Sequence, residues 1–273
     1  MVYSANPARG AGCAHLQTMA GCQSPKGLRK MERHILRETA FRIDLGALMR
    51  RLRIREQSPE AEELLELVAE AEEIARPKAL YGAAKVEIGG DSRVLLDGVE
   101  FTSRVLRVNL SSVHHAFPFV ATCGVELDTW SEAFKSRMLH RFWADEIKEL
   151  ALRSALTLVG EHLARHYYAG KVSHMNPGSL ADWPIRQQRP LFALLGDPEA
   201  AIGVRLTESM VMVPTKSVSG IVFASEVGFE SCQLCQMEHC PNRRAPFDPE
   251  LRAQKYQGGL SAWEESAHDG GVG

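Results

Sequence analysis

Thiol chemistry is concentrated in one short stretch, Cys232-x-x-Cys235-x-x-x-x-Cys240. A Cys-x-x-Cys pair lets two thiolates converge on one metal through a tight turn. A third cysteine a few residues on closes another corner of a tetrahedral or cubane site. A fourth ligand is then needed. His239 is adjacent to Cys240 and competes with it for geometry, so Cys123, just after the apolar run 117–122, is the expected fourth ligand. Zinc would make the site a structural clip for the C-terminal segment. An iron–sulfur cluster would make it an electron relay, and free or redox-active thiols are the third reading. The remaining cysteines, Cys13 and Cys22, read as unpaired thiols in a Gly-, Ala- and Ser-rich leader over 1–30, with Met31 as an alternative start.

Other groups that can carry chemistry have plainer readings. His162 and His166 have the i, i+4 spacing of a helical metal pair, but no carboxylate partner accompanies them, so they read as a helix surface, and His114-His115 likewise. Arg243-Arg244 reads as a solvated basic turn. Asp182-Trp183 is expected to cap and anchor the helix that follows it. No nucleophile with a base, carboxylate pair or phosphate-binding loop stands out.

The composition bounds what these groups can serve. The chain has 273 residues, 45% of them apolar and 24% charged, enough to bury a sizeable core. Lys plus Arg is 32 and Asp plus Glu 34, a net charge of −2 that lacks the electrostatic footprint of a nucleic-acid binder. No apolar run approaches the roughly 20 residues a membrane helix needs. Six cysteines are too sparse for a disulfide scaffold. No signal peptide is apparent, so a cytoplasmic location is expected.

The elements that must position these groups follow from periodicity. Leu64, Leu65, Leu67, Val68 and Ile74 mark an amphipathic helix over 60–74, with Ser58 and Pro59 at its start and Pro77 after its end. Val86, Ile88, Val94 and Leu96 alternate around Gly89-Gly90-Asp91 as two strands and a turn. A short helix is expected over 103–112 and a buried strand over 117–122. One long helical region runs from Gly124 to about Tyr168, with Trp130, Phe134, Met138, Phe142, Ile147, Leu150, Ala151, Leu158 and Leu163 on its core stripe. A loop over 173–179 precedes a helix from Pro184 to Leu195. Strands are expected over 202–206, 211–213 and 218–223, and a tail over 258–273. Strands and helices without regular alternation imply an α+β fold.

Residues 202–220 carry a resemblance. Ile202-Gly203-Val204-Arg205-Leu206-Thr207-Glu208-Ser209, then Met212 and Pro214, then Ser217-Val218-Ser219-Gly220, resembles the signature of the activation domain of cobalamin-dependent methionine synthase. Pro177-Gly178 and the helix after Trp183 fall where that family has its Pro-Gly-Tyr loop and following helix. The resemblance extends over about 35–225 and implies a twisted antiparallel sheet flanked by helices; where the family continues into a further strand, this chain runs instead into a Cys-rich metal-binding segment expected over 226–250. It also implies reductive reactivation. The domain docks on a corrinoid domain and presents S-adenosylmethionine, while a flavodoxin- or ferredoxin-type donor supplies an electron to cob(II)alamin. A free-standing version would serve a separate corrinoid protein.

By the same resemblance, the cofactor-binding positions are His174, Asn176, Pro177, Gly178, Ser179, Glu208, Ser217, Ser219 and Gly220. Several depart from the family pattern. His174 stands where the family has an Arg, and a neutral imidazole does not clamp a carboxylate bidentately. Ser179 replaces a Tyr, and Thr157 falls where the long helix supplies a Glu. The expectation is an accessory protein that supports a cobalamin-dependent methyltransferase and binds S-adenosylmethionine weakly or not at all. Its cysteine cluster would carry the low-potential electron, which favours iron–sulfur over zinc. The two alternatives are an S-adenosylmethionine-binding activation subunit and a non-catalytic corrinoid-protein partner with structural zinc.

Overall fold

The computed structural model describes residues 31–37, 41–168, 170–226, 228–240 and 243–256; Cys13, Cys22, the 1–30 leader and the 258–273 tail lie outside them. The chain begins with β1 (Glu32–Arg37), α1 (Leu45–Leu52), α2 (Pro59–Ile74) and β2 (Lys78–Gly89). Pro59 occupies the first turn of α2, where its missing N–H costs nothing. Ala61, Leu64, Leu67, Val68 and Ala71 then recur on the buried face. β3 (Arg93–Leu96) and β4 (Val99–Thr102) meet at Asp97-Gly98. Both turn residues have positive φ, 46° and 82°, the backbone of a tight hairpin that matches strand twist. The sequence reading had no separate strand after this turn, although Asp-Gly is a strong hairpin signal.

α3 (Arg104–Leu110) and β5 (His115–Thr122) follow, then α4 (Val125–Ser131) and α5 (Met138–His166). The expected single helix after Gly124 is therefore broken, with a 3-10 turn over Glu132–Phe134 between the two parts. Its core stripe keeps the expected Ile147, Ala151 and Leu163 but differs from expectation toward its start. Trp143, Ile147, Ala151, Ala155, Val159 and Leu163 are buried, whereas Met138 and Phe142 are 87% and 52% exposed. The two alanines let α5 lie close on the sheet.

β6 (Val172–Met175) forms where a loop was expected, because its backbone pairs with a later strand. Next come α6 (Gln188–Leu195), α7 (Pro198–Ile202), β7 (Arg205–Leu206), β8 (Met212–Val213), β9 (Ser217–Ala224) and α8 (Pro249–Tyr256). The expected strand over 202–206 is shortened from its start. Asp197 caps α7, Pro198 sits in its first turn, and Gly203 ends it at φ +77°.

The sheet runs β4-β3-β2-β5-β9-β6, with β1 on β2, and every pairing is antiparallel. It bears out the α+β expectation. Tyr81, Phe117, Phe119, Ala121 and Val222 face one core with α1, α2 and α5. Ala84, Ala116, Ile221 and Phe223 face the other, with α3, α6 and α8. β5 is thus buried on both faces, which is why its sequence reads as a nearly unbroken apolar run. No helix among the described residues is long and apolar enough to cross a membrane.

Candidate functional site

The end of β6 is stitched to β9. His174 pairs with Val222 and Met175 with Ile221. Asn176 Nδ2 then donates to the Ser219 carbonyl at 2.8 Å. Gly220 makes this approach feasible: a Cβ there would stand 2.5 Å from both Asn176 Nδ2 and the Met175 carbonyl. After Pro177, Gly178 adopts φ +86° and its N–H donates to the Trp183 carbonyl at 2.7 Å. Asn176, Ser219 and Gly220 are therefore one assembly, and Gly178 closes the loop that follows it. Ser179 is exposed beside it.

The chemistry at this loop is that of a neutral site. Burial, with the Arg244 charge behind it, pulls His174 below the ordinary histidine value. His174 is thus an uncharged imidazole edge-on to Phe119, with ring centroids 6.5 Å apart. Arg244 brings a guanidinium into the neighbourhood, but its Nε is already 3.0 Å from Glu230. Glu230 itself bridges to His174 through the backbone. The residues present do not reproduce a bidentate carboxylate clamp at position 174 or an aromatic surface at 179.

The other signature residues hold backbone. Ser217 Oγ donates to Thr122 Oγ1 at 2.9 Å, joining the start of β9 to the end of β5. Thr207 Oγ1 accepts from Val211 N at 3.0 Å and closes the turn between β7 and β8. Glu208 sits exposed in that turn, and its carbonyl accepts from Arg189. The hollow beside it, about 270 Å³, is lined by Arg189, Phe192, Leu206, Thr207 and Glu208, none of them from the 174–179 loop.

The cysteine segment is organised differently from the expectation. Cys232 lies in a 3-10 turn over Ser231–Leu234, and Cys235 N donates to the Cys232 carbonyl at 3.2 Å. Arg243 was read as solvated. Instead its guanidinium donates to the carbonyls of Cys232, Cys235, Met237 and Ala245. Arg244 N donates to Cys232 Sγ at 3.5 Å. A half-buried cation thus gathers the carbonyls of this loop.

Cys123 is not with the trio. It continues the odd-numbered face of β5 after Phe117, Phe119 and Ala121 and lies in the core with α5, whereas Cys235 packs against the opposite core. Burial pushes the Cys123 thiol up to about 12, against the ionised form a ligand needs. Among the described residues no three His, Cys, Asp or Glu side chains are arranged to hold a metal ion. The four-cysteine centre is therefore not assembled.

Two further expectations are corrected. Asp182 does not cap the helix after it. It accepts from Ser103 Oγ and from the N–H groups of Arg104 and Val105, so it caps α3 across the fold. His162 is more than a surface residue: its Nδ1 is 2.6 Å from the hydroxyl of fully buried Tyr81, and its ring is 5.3 Å from His34. Local spacing carries no sign of either long-range contact.

Residues 127–229 match the family described as vitamin B12 dependent methionine synthase, activation domain. The resemblance to the activation-domain family stands. A crystal structure of the MetH reactivation domain bound to AdoHcy aligns with TM-score 0.52 and 15% identity, covering 71% of this chain and 79% of that one. At that identity the alignment supports the fold. No curated protein matches. The matched segment runs from α4 through β9 to Phe229 and includes the 174–179 loop, but stops before Cys232.

Proposed function

We propose that this protein docks on a corrinoid-bearing methyltransferase partner and supports its return from the cob(II)alamin state. The observation that carries the reading is the assembled loop. The segment that matches the activation-domain family folds so that Asn176 is locked onto Ser219 and Gly220 of β9, while Gly178 closes the loop on the Trp183 carbonyl. An activation domain acts by presenting this region to the corrinoid, and here its backbone is held in place.

The proposed role is partner support with weak or absent S-adenosylmethionine binding. A neutral His174 and an exposed Ser179 do not supply the charge and aromatic surface that hold such a ligand. The reading as an S-adenosylmethionine-binding subunit therefore ranks second. A flavodoxin- or ferredoxin-type electron donor belongs to the proposal on family grounds alone. A metal on Cys232, Cys235 and Cys240 is supported by their spacing alone, so no electron step is routed through it. Iron, sulfide and zinc analysis after anaerobic purification separates a cluster, a zinc clip and free thiols.

The direct test mixes the purified protein with a corrinoid methyltransferase held as cob(II)alamin, a low-potential reductant and a methyl donor. The expected result is faster loss of the cob(II)alamin absorption and recovery of methyl transfer in proportion to added protein. No change in either signal, together with no complex by size-exclusion chromatography, overturns the proposal.

A further inference from the structure

We propose that a second site, at the opposite end of β6 from the 176–179 loop, binds an anionic ligand built on a planar ring, the chemistry of a mononucleotide. The site is a groove of about 1030 Å³ where the start of β5, the end of β9 and the ends of α3, α5 and α8 converge. Small-molecule pockets are typically several hundred to about 1,000 Å³ and combine apolar walls with a few polar groups.

One wall is aromatic and rigid. The Tyr167 ring is 38% exposed, yet it is held at both ends. Its hydroxyl is 3.1 Å from His34 Nε2 and its ring lies edge-on to Phe117, with centroids 4.8 Å apart. An exposed aromatic ring normally gains by moving into the core or swinging with solvent. One fixed in place offers a preorganised stacking face, and ring stacking of this kind is worth about 1–3 kcal/mol.

The other wall is cationic. Lys171 and Lys255 line the groove, and among the described residues neither ammonium is paired with a carboxylate. Lys255 rests over the Tyr256 ring at 5.6 Å. The imidazole of His114 adds a further polar group, and Glu226 is the one acidic lining residue. Unpaired cations beside a fixed ring suit a ligand whose anionic group and flat ring lie close together. The site shares no lining residue with the 174–179 loop or with the cysteine loop over 231–245, so it stands or falls apart from the reactivation proposal.

Titration calorimetry of the full chain with AMP, FMN, adenosine and inorganic phosphate tests this. At least one of AMP and FMN is expected to bind with a Kd below about 1 mM, and adenosine and phosphate each at least about tenfold more weakly. The exposed-site double variant Lys171→Gln/Lys255→Gln is expected to weaken the mononucleotide about tenfold or more while leaving adenosine unchanged. Circular dichroism checks that the variant stays folded. The proposal is overturned if neither mononucleotide binds, if phosphate alone binds as tightly, or if the folded double variant binds the mononucleotide unchanged.

Discussion

Two stretches joined end to end, β6–β9 and the cysteine loop after it, are held together in opposite ways. In the first, strands meet so closely that a glycine is required, and hydroxyls such as Ser217 tie strand to strand. In the second, the elements are short and a single guanidinium gathers carbonyls from Cys232, Cys235, Met237 and Ala245. A signature motif therefore also carries residues that hold backbone. In the Ser-Val-Ser-Gly block, Ser217 and Gly220 serve the approach of strands. In the cysteine loop, an arginine organises the backbone around the thiols.

That contrast can be broken first at Gly220. Gly220→Ala forces a Cβ into the Met175 carbonyl and Asn176, and should cost about 3 kcal/mol in denaturant unfolding, with the 176–179 loop displaced. A loss under about 0.5 kcal/mol would mean that the strands are not locked.

Arg243→Lys keeps the charge but loses the planar fork. About 2 kcal/mol of local stability should disappear, since hydrogen bonds to charged groups are worth more than neutral ones. The readout is a faster reaction of Cys232 and Cys235 with a thiol reagent, with Cys123 remaining protected in the core. Unchanged thiol reactivity would show that something else holds the loop.

Ser217→Ala should cost about 1 kcal/mol, the worth of one buried neutral hydrogen bond. It should leave the thiol reaction untouched.

The smallest effect is on pH dependence. Burial pulls His162 and His174 below the ordinary histidine value. The unfolded chain therefore binds more protons as the pH falls through about 6.5. Their contribution is present above that value and is lost as the pH falls toward the folded-state values. The unfolding midpoint should drop between about pH 7.5 and about pH 5.5, and His174→Gln should flatten that slope. A midpoint that rises on acidification would contradict the burial argument.

Much of this fold was legible from local pattern. The helical spacing of Leu64, Leu67, Val68 and Ile74 placed α2, and the apolar run 117–122 placed the doubly buried β5. What local pattern misses is pairing at a distance. β6 is a strand only because β9 lies beside it, and Asp182 caps a helix whose Val105 lies 77 residues before it in the chain. Cys123 was readable: its alternation with Phe117, Phe119 and Ala121 points it into the core, away from the trio. The Arg243 clamp and the groove at Tyr167, Lys171 and Lys255 were not readable, because each is assembled from segments whose meeting no spacing encodes.

The central claim is that the activation-domain scaffold is retained while its ligand-holding groups are replaced. Titration calorimetry with S-adenosylmethionine measures this most directly. The account predicts no measurable heat, or a Kd weaker than about 100 μM, because His174 is neutral and Ser179 offers no aromatic surface. Low-micromolar binding would contradict it.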